Sequence, residues 1–169
     1  MSAGEPGKPR VVRLEPHHVL TQFDCGHAAL NRFLQFFALK NQYSGSSVSY
    51  VAMVDSQVVG YYSLTFGTAS YDDSPEGLGK GMPRYPIPMM VIARLAVDRR
   101  FQGRGFGSAL LRDALRRALA ASAIAGIRGV LVHAKDESAA AFYRSFGFAS
   151  FPDRPLTLFR LLKDIKARL

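Results

Sequence analysis

The residues best suited to chemistry are Gln102-Gly103-Arg104-Gly105-Phe106-Gly107-Ser108, where three glycines alternate between an apolar strand pattern and a helical one. Glycine adopts positive φ and lets a ligand approach the backbone closely. The start of a helix leaves N–H groups without intrahelical acceptors and carries the positive end of the helix dipole. Together these features make a cradle for an anion, and a diphosphate suits it well. The same spacing also fits a tight turn that uses glycine for its conformation alone. Two nucleotide-binding motifs are excluded. The chain has no G-x-x-x-x-G-K-[ST], and its G-x-G-x-G is not the dinucleotide pattern G-x-G-x-x-G.

Two more side chains bear on chemistry. Arg94 is the only charge in the apolar run Met89 to Val97, and such a charge needs water, a structural partner or an anion in a cleft. Tyr143 carries a phenol with a reference pKa of about 10, which can hold or give a proton in a reaction. Its neighbours Phe142, Phe146 and Phe148 equally suit a place in the core. Cys25 has no evident catalytic partner and reads as a small apolar filler. The four histidines and single cysteine show no ligand spacing, so no metal is expected.

The segment Gln102-Gly103-Arg104-Gly105-Phe106-Gly107 fits Q-x-x-G-x-G and resembles the acyl-CoA pyrophosphate loop of the GCN5-related N-acetyltransferases (GNAT). Phe142-Tyr143-Arg144-Ser145-Phe146-Gly147-Phe148 resembles that superfamily's late F-Y-x-x-x-G-F segment. Phe23-Asp24-Cys25-Gly26 with Leu30-Asn31-Arg32-Phe33-Leu34, Gly60-Tyr61-Tyr62-Ser63-Leu64 and Ala93-Arg94-Leu95-Ala96-Val97 resemble a narrower branch, the acetyltransferase toxins of type II toxin–antitoxin modules.

The resemblance implies an α/β (α+β) GNAT fold, with a mixed, mainly antiparallel sheet splayed around acetyl-CoA and flanked by helices. It implies cofactor contacts from Leu95, Ala96, Val97, Gln102, Gly103, Arg104, Gly105, Phe106, Gly107, Ser108, Ser138 and Phe142, with Tyr143 as general acid. Ser138 departs from the pattern, because many acetyltransferases carry there an asparagine that bonds the pantetheine arm. The branch further implies acetylation of the α-amine of aminoacyl-tRNA, which blocks translation, together with a ribbon-helix-helix antitoxin and commonly a homodimer. Two other readings stay open: an N-acetyltransferase for a small-molecule or protein amine, and a catalytically inactive acetyl-CoA- or RNA-binding module.

Chemistry separates these substrates. At pH 7 on the order of a tenth of a free α-amine near pKa 7.7–8.0 is neutral, against about one in two or three thousand for a lysine. No glutamate lies in or just after the run Met89 to Val97, and Asp98 is followed by Arg99 and Arg100, which keep it a weak base. The lack of a base favours an α-amine. With 22 Lys and Arg against 13 Asp and Glu, the net charge of +9 favours anionic partners. Arg94, Arg84, Lys40, Arg116 and Arg117 are the candidates to grip tRNA phosphates without reading bases.

The remaining patterns describe the scaffold. Apolar residues make up 48% and charged residues 21% of 169, as in an ordinary globular protein. A flexible N-terminus over 1–10 and one domain over 11–169 are expected. With no secretory leader or apolar run near 18 residues, the protein is expected to be cytoplasmic and off the membrane. Periodicity predicts a strand from Val11 to Leu14, a helix from His27 to about Gln42 with Asp24 as N-cap, and a hairpin of Ser47 to Val54 with Val58 to Phe66. It then predicts a long loop from Gly67 to Pro88, a strand from Met89 to Val97, a helix over 107–122 and a strand from Gly129 to Ala134. A short helix from Asp136 or Glu137, a closing pair of Phe148 to Phe151 with Leu156 to Leu162, and a basic tail complete the chain.

Overall fold

The computed structural model describes residues 9–168. Of the terminus expected to be flexible, residues 1–8 lie outside these, and Arg10 already pairs in a strand. The fold is mixed α/β, with seven strands paired mainly antiparallel. The strands are β1 (Arg10–Arg13), β2 (Val48–Val54), β3 (Gln57–Ala69), β4 (Ile87–Val97), β5 (Gly129–His133), β6 (Ala149–Phe151) and β7 (Arg154–Leu161). The helices are α1 (Ala28–Arg32), α2 (Ala38–Ser44), α3 (Glu76–Gly79), α4 (Phe106–Ser122), α5 (Glu137–Ser145) and α6 (Leu162–Lys166). The chain forms two compact units, one from the described residues up to Thr65 with Arg94–Ala114, the other from Phe66–Ala93 with Leu115 onward.

In the first unit β1, β2 and β3 form an antiparallel meander, with Val12 opposite Val51 and Val51 opposite Tyr61. The β2–β3 turn sets Asp55 at φ 55, a left-handed conformation that aspartate tolerates in tight hairpins. Alternating residues of these strands bury Val51, Met53 and Tyr61 against Leu14, Phe33 and Leu34. Cys25 is buried in the same core, as its reading as a filler requires. Gly60 is there for lack of a side chain, since a Cβ would stand 2.9 Å from Leu110 Cδ1 and 3.1 Å from the Ala96 carbonyl oxygen.

The helix expected over residues 27–42 is interrupted. A π-helical turn, Phe33–Phe37, joins α1 to α2, and the added residue rotates α2 away from the phase of a regular α-helix. Phe33 and Leu34 stay buried, while Phe36 and Phe37 are 63% and 44% exposed, although their spacing alone places them on the apolar face. Gln42 then ties the helix to the strands: its Nε2 donates to the Leu14 carbonyl at 2.9 Å and its Oε1 accepts from the Ser49 N–H at 3.0 Å.

In the second unit β4 pairs parallel with β5, Met89 opposite Gly129 and Ile92 opposite Val132, and β5 pairs antiparallel with β7, which pairs with β6. Leu78, Ile87, Met89, Leu131 and Phe151 make its core. The segment expected to be a loop over 67–88 is shorter, because β3 continues to Ala69, α3 intervenes and β4 starts at Ile87. Arg128 ties down the C-terminal end of α3. Its guanidinium donates to the carbonyls of Leu78 at 2.9 Å and Lys80 at 2.9 Å. The expected basic tail is in part α6, held by the buried Leu162 and Ile165. Among the described residues no helix is long and apolar enough to cross a membrane.

Candidate functional site

Beyond Val97 the chain turns through a 3-10 segment, Arg99–Phe101, into the glycine stretch. Gly103 and Gly105 take φ of 77° and 84°, and a Cβ on either meets nothing within 4 Å. Gly107 needs no such freedom and lies in the first turn of α4. The Ala109 N–H reaches the Gly105 carbonyl at 3.0 Å, but no backbone N–H from Gly103 to Ser108 has an acceptor among the described residues. Unpaired amides, open space beside them and a helix of 17 residues behind them fit an anion such as a diphosphate. Phe106 is buried edge-to-face against Phe101 at 5.5 Å, while Arg104 stays exposed with its Cζ 5.4 Å from the Phe101 ring.

The loop is held from behind by residues far away in sequence. The Gln102 side chain is committed to the protein, donating from Nε2 to the carbonyls of Val97 at 2.9 Å and Cys25 at 3.1 Å. Asp98 is 1% exposed. Its carboxylate accepts from the Asp24 N–H at 3.1 Å, the Arg100 N–H at 3.0 Å and the Arg100 guanidinium at 3.0 and 3.2 Å. Asp24 does not cap α1 as expected. The N-cap is His27, without a side-chain bond, and Asp24 Oδ1 instead accepts from the Gly26 N–H at 2.9 Å and Asn31 Nδ2 at 3.0 Å. Residues 24–31 and 97–102 therefore form one clasp.

Both carboxyls titrate below the usual carboxylate range. For Asp24 the Asn31 hydrogen bond is the largest cause, followed by that from Gly26. For Asp98 burial pushes upward, but the bonds from Arg100 and from the Asp24 N–H outweigh it. A depressed folded pKa gives stability that is complete above the unfolded value, about 3.9 for aspartate, and is lost as pH falls through the folded value. The wild-type urea midpoint is therefore expected to drop below about pH 4. Asp98→Asn, which cannot titrate there, is expected to start lower and to lose less over the same interval; parallel curves would contradict the assignment.

In the second unit α5 begins where Asp136 accepts from the Ala139 N–H at 2.8 Å. Ser138 lies exposed in its first turn and Phe142 is half-buried. Tyr143 is 7% exposed, with ring centroids 5.3 Å from Phe142 and 5.7 Å from Phe148. The ring is thus a core residue, yet the hydroxyl bonds to nothing among the described residues. Burial pushes the phenol up to about 12. Tyr61 differs: burial raises it too, but its hydroxyl is used on the Leu30 carbonyl at 2.8 Å.

The basic candidates fall in both units. Arg94 and Lys40 belong to the first, and Arg84, Arg116 and Arg117 to the second. Arg94 is half-buried, with Cζ 3.6 Å from the Phe33 ring centroid, and it meets no carboxylate of the described residues. Arg84 lies 5.9 Å from the Tyr71 ring centroid, and Arg116 is exposed. Asp113, whose sequence position suits pairing with Arg116 or Arg117, accepts from the Tyr62 hydroxyl. Sequence reasoning missed the clasp partners Asn31 and Arg100, and it missed that Arg32, Phe33, Phe37, Asn41, Ala29 and Arg94 surround one pocket. The unpaired charge of Arg94 was the one available signal for that pocket.

A cradle of unpaired amides between a strand and a long helix, on a mixed α/β scaffold, can hold the diphosphate of a cofactor such as acetyl-CoA. The model of the Acetyltransferase (GNAT) domain matches residues 45–150, and the chain belongs to the GNAT acetyltransferase family. It is 43% identical over 148 residues to the tRNA-acetylating toxin of Mycobacterium tuberculosis, covering 88% of this chain and 89% of that one. The structure of AtaT complexed with acetyl-methionyl-tRNAfMet superposes with a TM-score of 0.87 at 31% identity, covering 94% of this chain and 98% of that one. A tyrosine-to-phenylalanine mutant of the AtaT toxin, bound to the C-terminus of the antitoxin AtaR and acetyl-CoA, superposes with a TM-score of 0.80 at 29% identity. That match covers 95% of this chain and 97% of the mutant.

Proposed function

We propose that this chain transfers the acetyl group of acetyl-CoA to the α-amine of aminoacyl-tRNA and is the toxin of a toxin–antitoxin pair that blocks translation. The observation that carries this reading is the row of unpaired amides from Gly103 to Ser108, in a chain akin to a tRNA-acetylating toxin. By the same kinship residues 11–169 act as one acetyltransferase domain in the cytoplasm. The partner is then an antitoxin of the ribbon-helix-helix class, and the toxin a homodimer.

Bound acetyl-CoA supplies a thioester and an anionic diphosphate. The amides of Gly103, Gly105 and Gly107 hold that diphosphate at the positive end of α4. Arg104, Phe106 and Ser108 flank it, and Gln102 holds the loop's shape. Leu95, Ala96 and Val97 on β4, with Ser138 and Phe142 on α5, are assigned to the rest of the cofactor. Tyr143 would give its proton to the thiolate as the C–S bond breaks and the amide C–N bond forms, and the phenolate would regain a proton from the one the acylated amine releases; because its hydroxyl is otherwise unbonded, no protein bond is lost. Burial raises phenol and thiol in the same direction, so donor and acceptor shift together. Asp98 is not the base, since its carboxylate is already occupied by Arg100 and the Asp24 N–H. The amine must therefore arrive neutral, as an α-amine does far more often than a lysine.

The test incubates the purified chain with acetyl-CoA and a charged tRNA pool, a lysine peptide and a polyamine, followed by mass spectrometry. Acetyl on the aminoacyl ends of the tRNA is the expected result, and preference for the peptide or the polyamine would overturn the reading. If phosphates are gripped by Arg94, Arg84, Lys40, Arg116 and Arg117, tRNA affinity drops steeply between about 50 and about 200 mM salt. A constant affinity over that interval would remove the phosphate contacts.

A further inference from the structure

The pocket around Arg94 offers more than the phosphate contact already given to that arginine. It lies wholly in the first unit, has a volume of about 370 Å3 and is lined by Ala29, Arg32, Phe33, Phe37, Asn41 and Arg94. That is within the usual range for a bound small molecule or one residue of a polymer, about 300–1,000 Å3. Phe33 and Phe37 bound the π-helical turn, a distortion that recurs at functional sites. This turn is also what leaves Phe37 44% exposed instead of packed inside. Arg94 Cζ lies 3.6 Å from the Phe33 ring centroid, a contact that holds the guanidinium without neutralising it. Neither Arg94 nor Arg32 pairs with a carboxylate of the described residues, and the Asn41 carboxamide makes no bond there. Residues 27–45 contain no Asp or Glu, nor does β4. An occupant must therefore supply negative charge, a flat apolar face and a polar edge.

We propose that this pocket seats one of the unpaired 3′ nucleotides of the tRNA, its base against Phe37 with the Asn41 carboxamide at its edge, and an adjoining phosphate on Arg94 and Arg32. The assignment rests on the reading that the substrate is aminoacyl-tRNA. A nucleotide uses all three features of the pocket. An acidic peptide would satisfy the arginines while leaving the exposed ring and the carboxamide idle. Base stacking on an aromatic side chain tolerates any base, so the pocket places the strand and does not select its sequence.

The experiment is fluorescence anisotropy of a 5′-labelled single-stranded RNA hexamer ending in CCA, titrated with the full chain. Phe37→Ala is expected to weaken binding by about 5- to 100-fold, and Phe37→Tyr to restore it. Arg94→Gln is expected to weaken binding and to lower the slope against log salt by about one phosphate. Acetyl-CoA affinity is expected to be unchanged in all three, which reports that they are folded. Hexamer binding by Phe37→Ala equal to wild type would overturn the proposal. So would loss, in that variant, of binding to a labelled hexaglutamate peptide but not to the RNA. Failure of the parent reading looks different: the wild type would then acetylate no aminoacyl-tRNA, whatever the hexamer shows.

Discussion

Tyr143→Phe is expected to lower the rate of aminoacyl-tRNA acetylation by about 10²–10⁴-fold, the usual contribution of a positioned acid, with acetyl-CoA affinity and thermal unfolding unchanged. The substitution removes one oxygen and keeps the ring that packs on Phe142 and Phe148. Because the hydroxyl bonds to nothing among the described residues, no structural bond is broken. A tyrosine that served only the core would leave the rate where it was.

The pH profile adds a second check. With the phenol pushed up to about 12, Tyr143 stays protonated across the working range. The rise of kcat/KM then reports the substrate amine, at about 7.7–8.0, and a plateau extends to about pH 10. The variant keeps the same rise to a lower plateau. A wild-type profile that turned down between about pH 8 and 10 would place the acid on another group.

Asp98→Ala is expected to have the largest effect on stability. Arg100 is 54% exposed and would rehydrate, but the N–H groups of Asp24 and Arg100 would lose their acceptor. Leaving such donors unsatisfied, together with the loss of a nearly buried carboxylate, costs about 3 kcal/mol. That corresponds to a fall in Tm of about 6–12 °C for a chain of this size. The clasp also shapes residues 97–102, so KM for acetyl-CoA is expected to rise more than kcat falls. Arg100→Ala supplies the contrast. It removes the guanidinium and strips a nearly buried carboxylate of its counter-ion, but leaves both backbone bonds, so its cost is expected to be smaller, about 1–2 kcal/mol. Equal losses in the two variants, by calorimetry, would show that the ion pair and not the backbone contacts holds the clasp.

The chain's own patterning was enough to find every strand of the described residues to within a few positions, the long helix α4 and the helix carrying Tyr143. Apolar periodicity is a local property, and these elements bury one face each. The glycine stretch was legible for a similar reason. Positive φ at Gly103 and Gly105 is demanded by a turn a few residues long and needs no distant partner. Kinship to the GNAT acetyltransferases was equally visible in short contiguous blocks.

What the tertiary structure alone decided is non-local. Asp98 meets the Asp24 N–H across 74 positions and Gln102 meets the Cys25 carbonyl across 77. No window of sequence contains both partners, so Asp24 read as a helix cap and Gln102 as a ligand of the diphosphate. The same holds for Arg94. Periodicity could mark it as a charge in an apolar strand, but only the packing of the 33–37 turn beneath it shows a guanidinium held over Phe33 and left without a counter-ion among the described residues. Local spacing sets which backbone is built, and the pairing of distant polar groups sets where its charges are satisfied and where they are left free for a ligand.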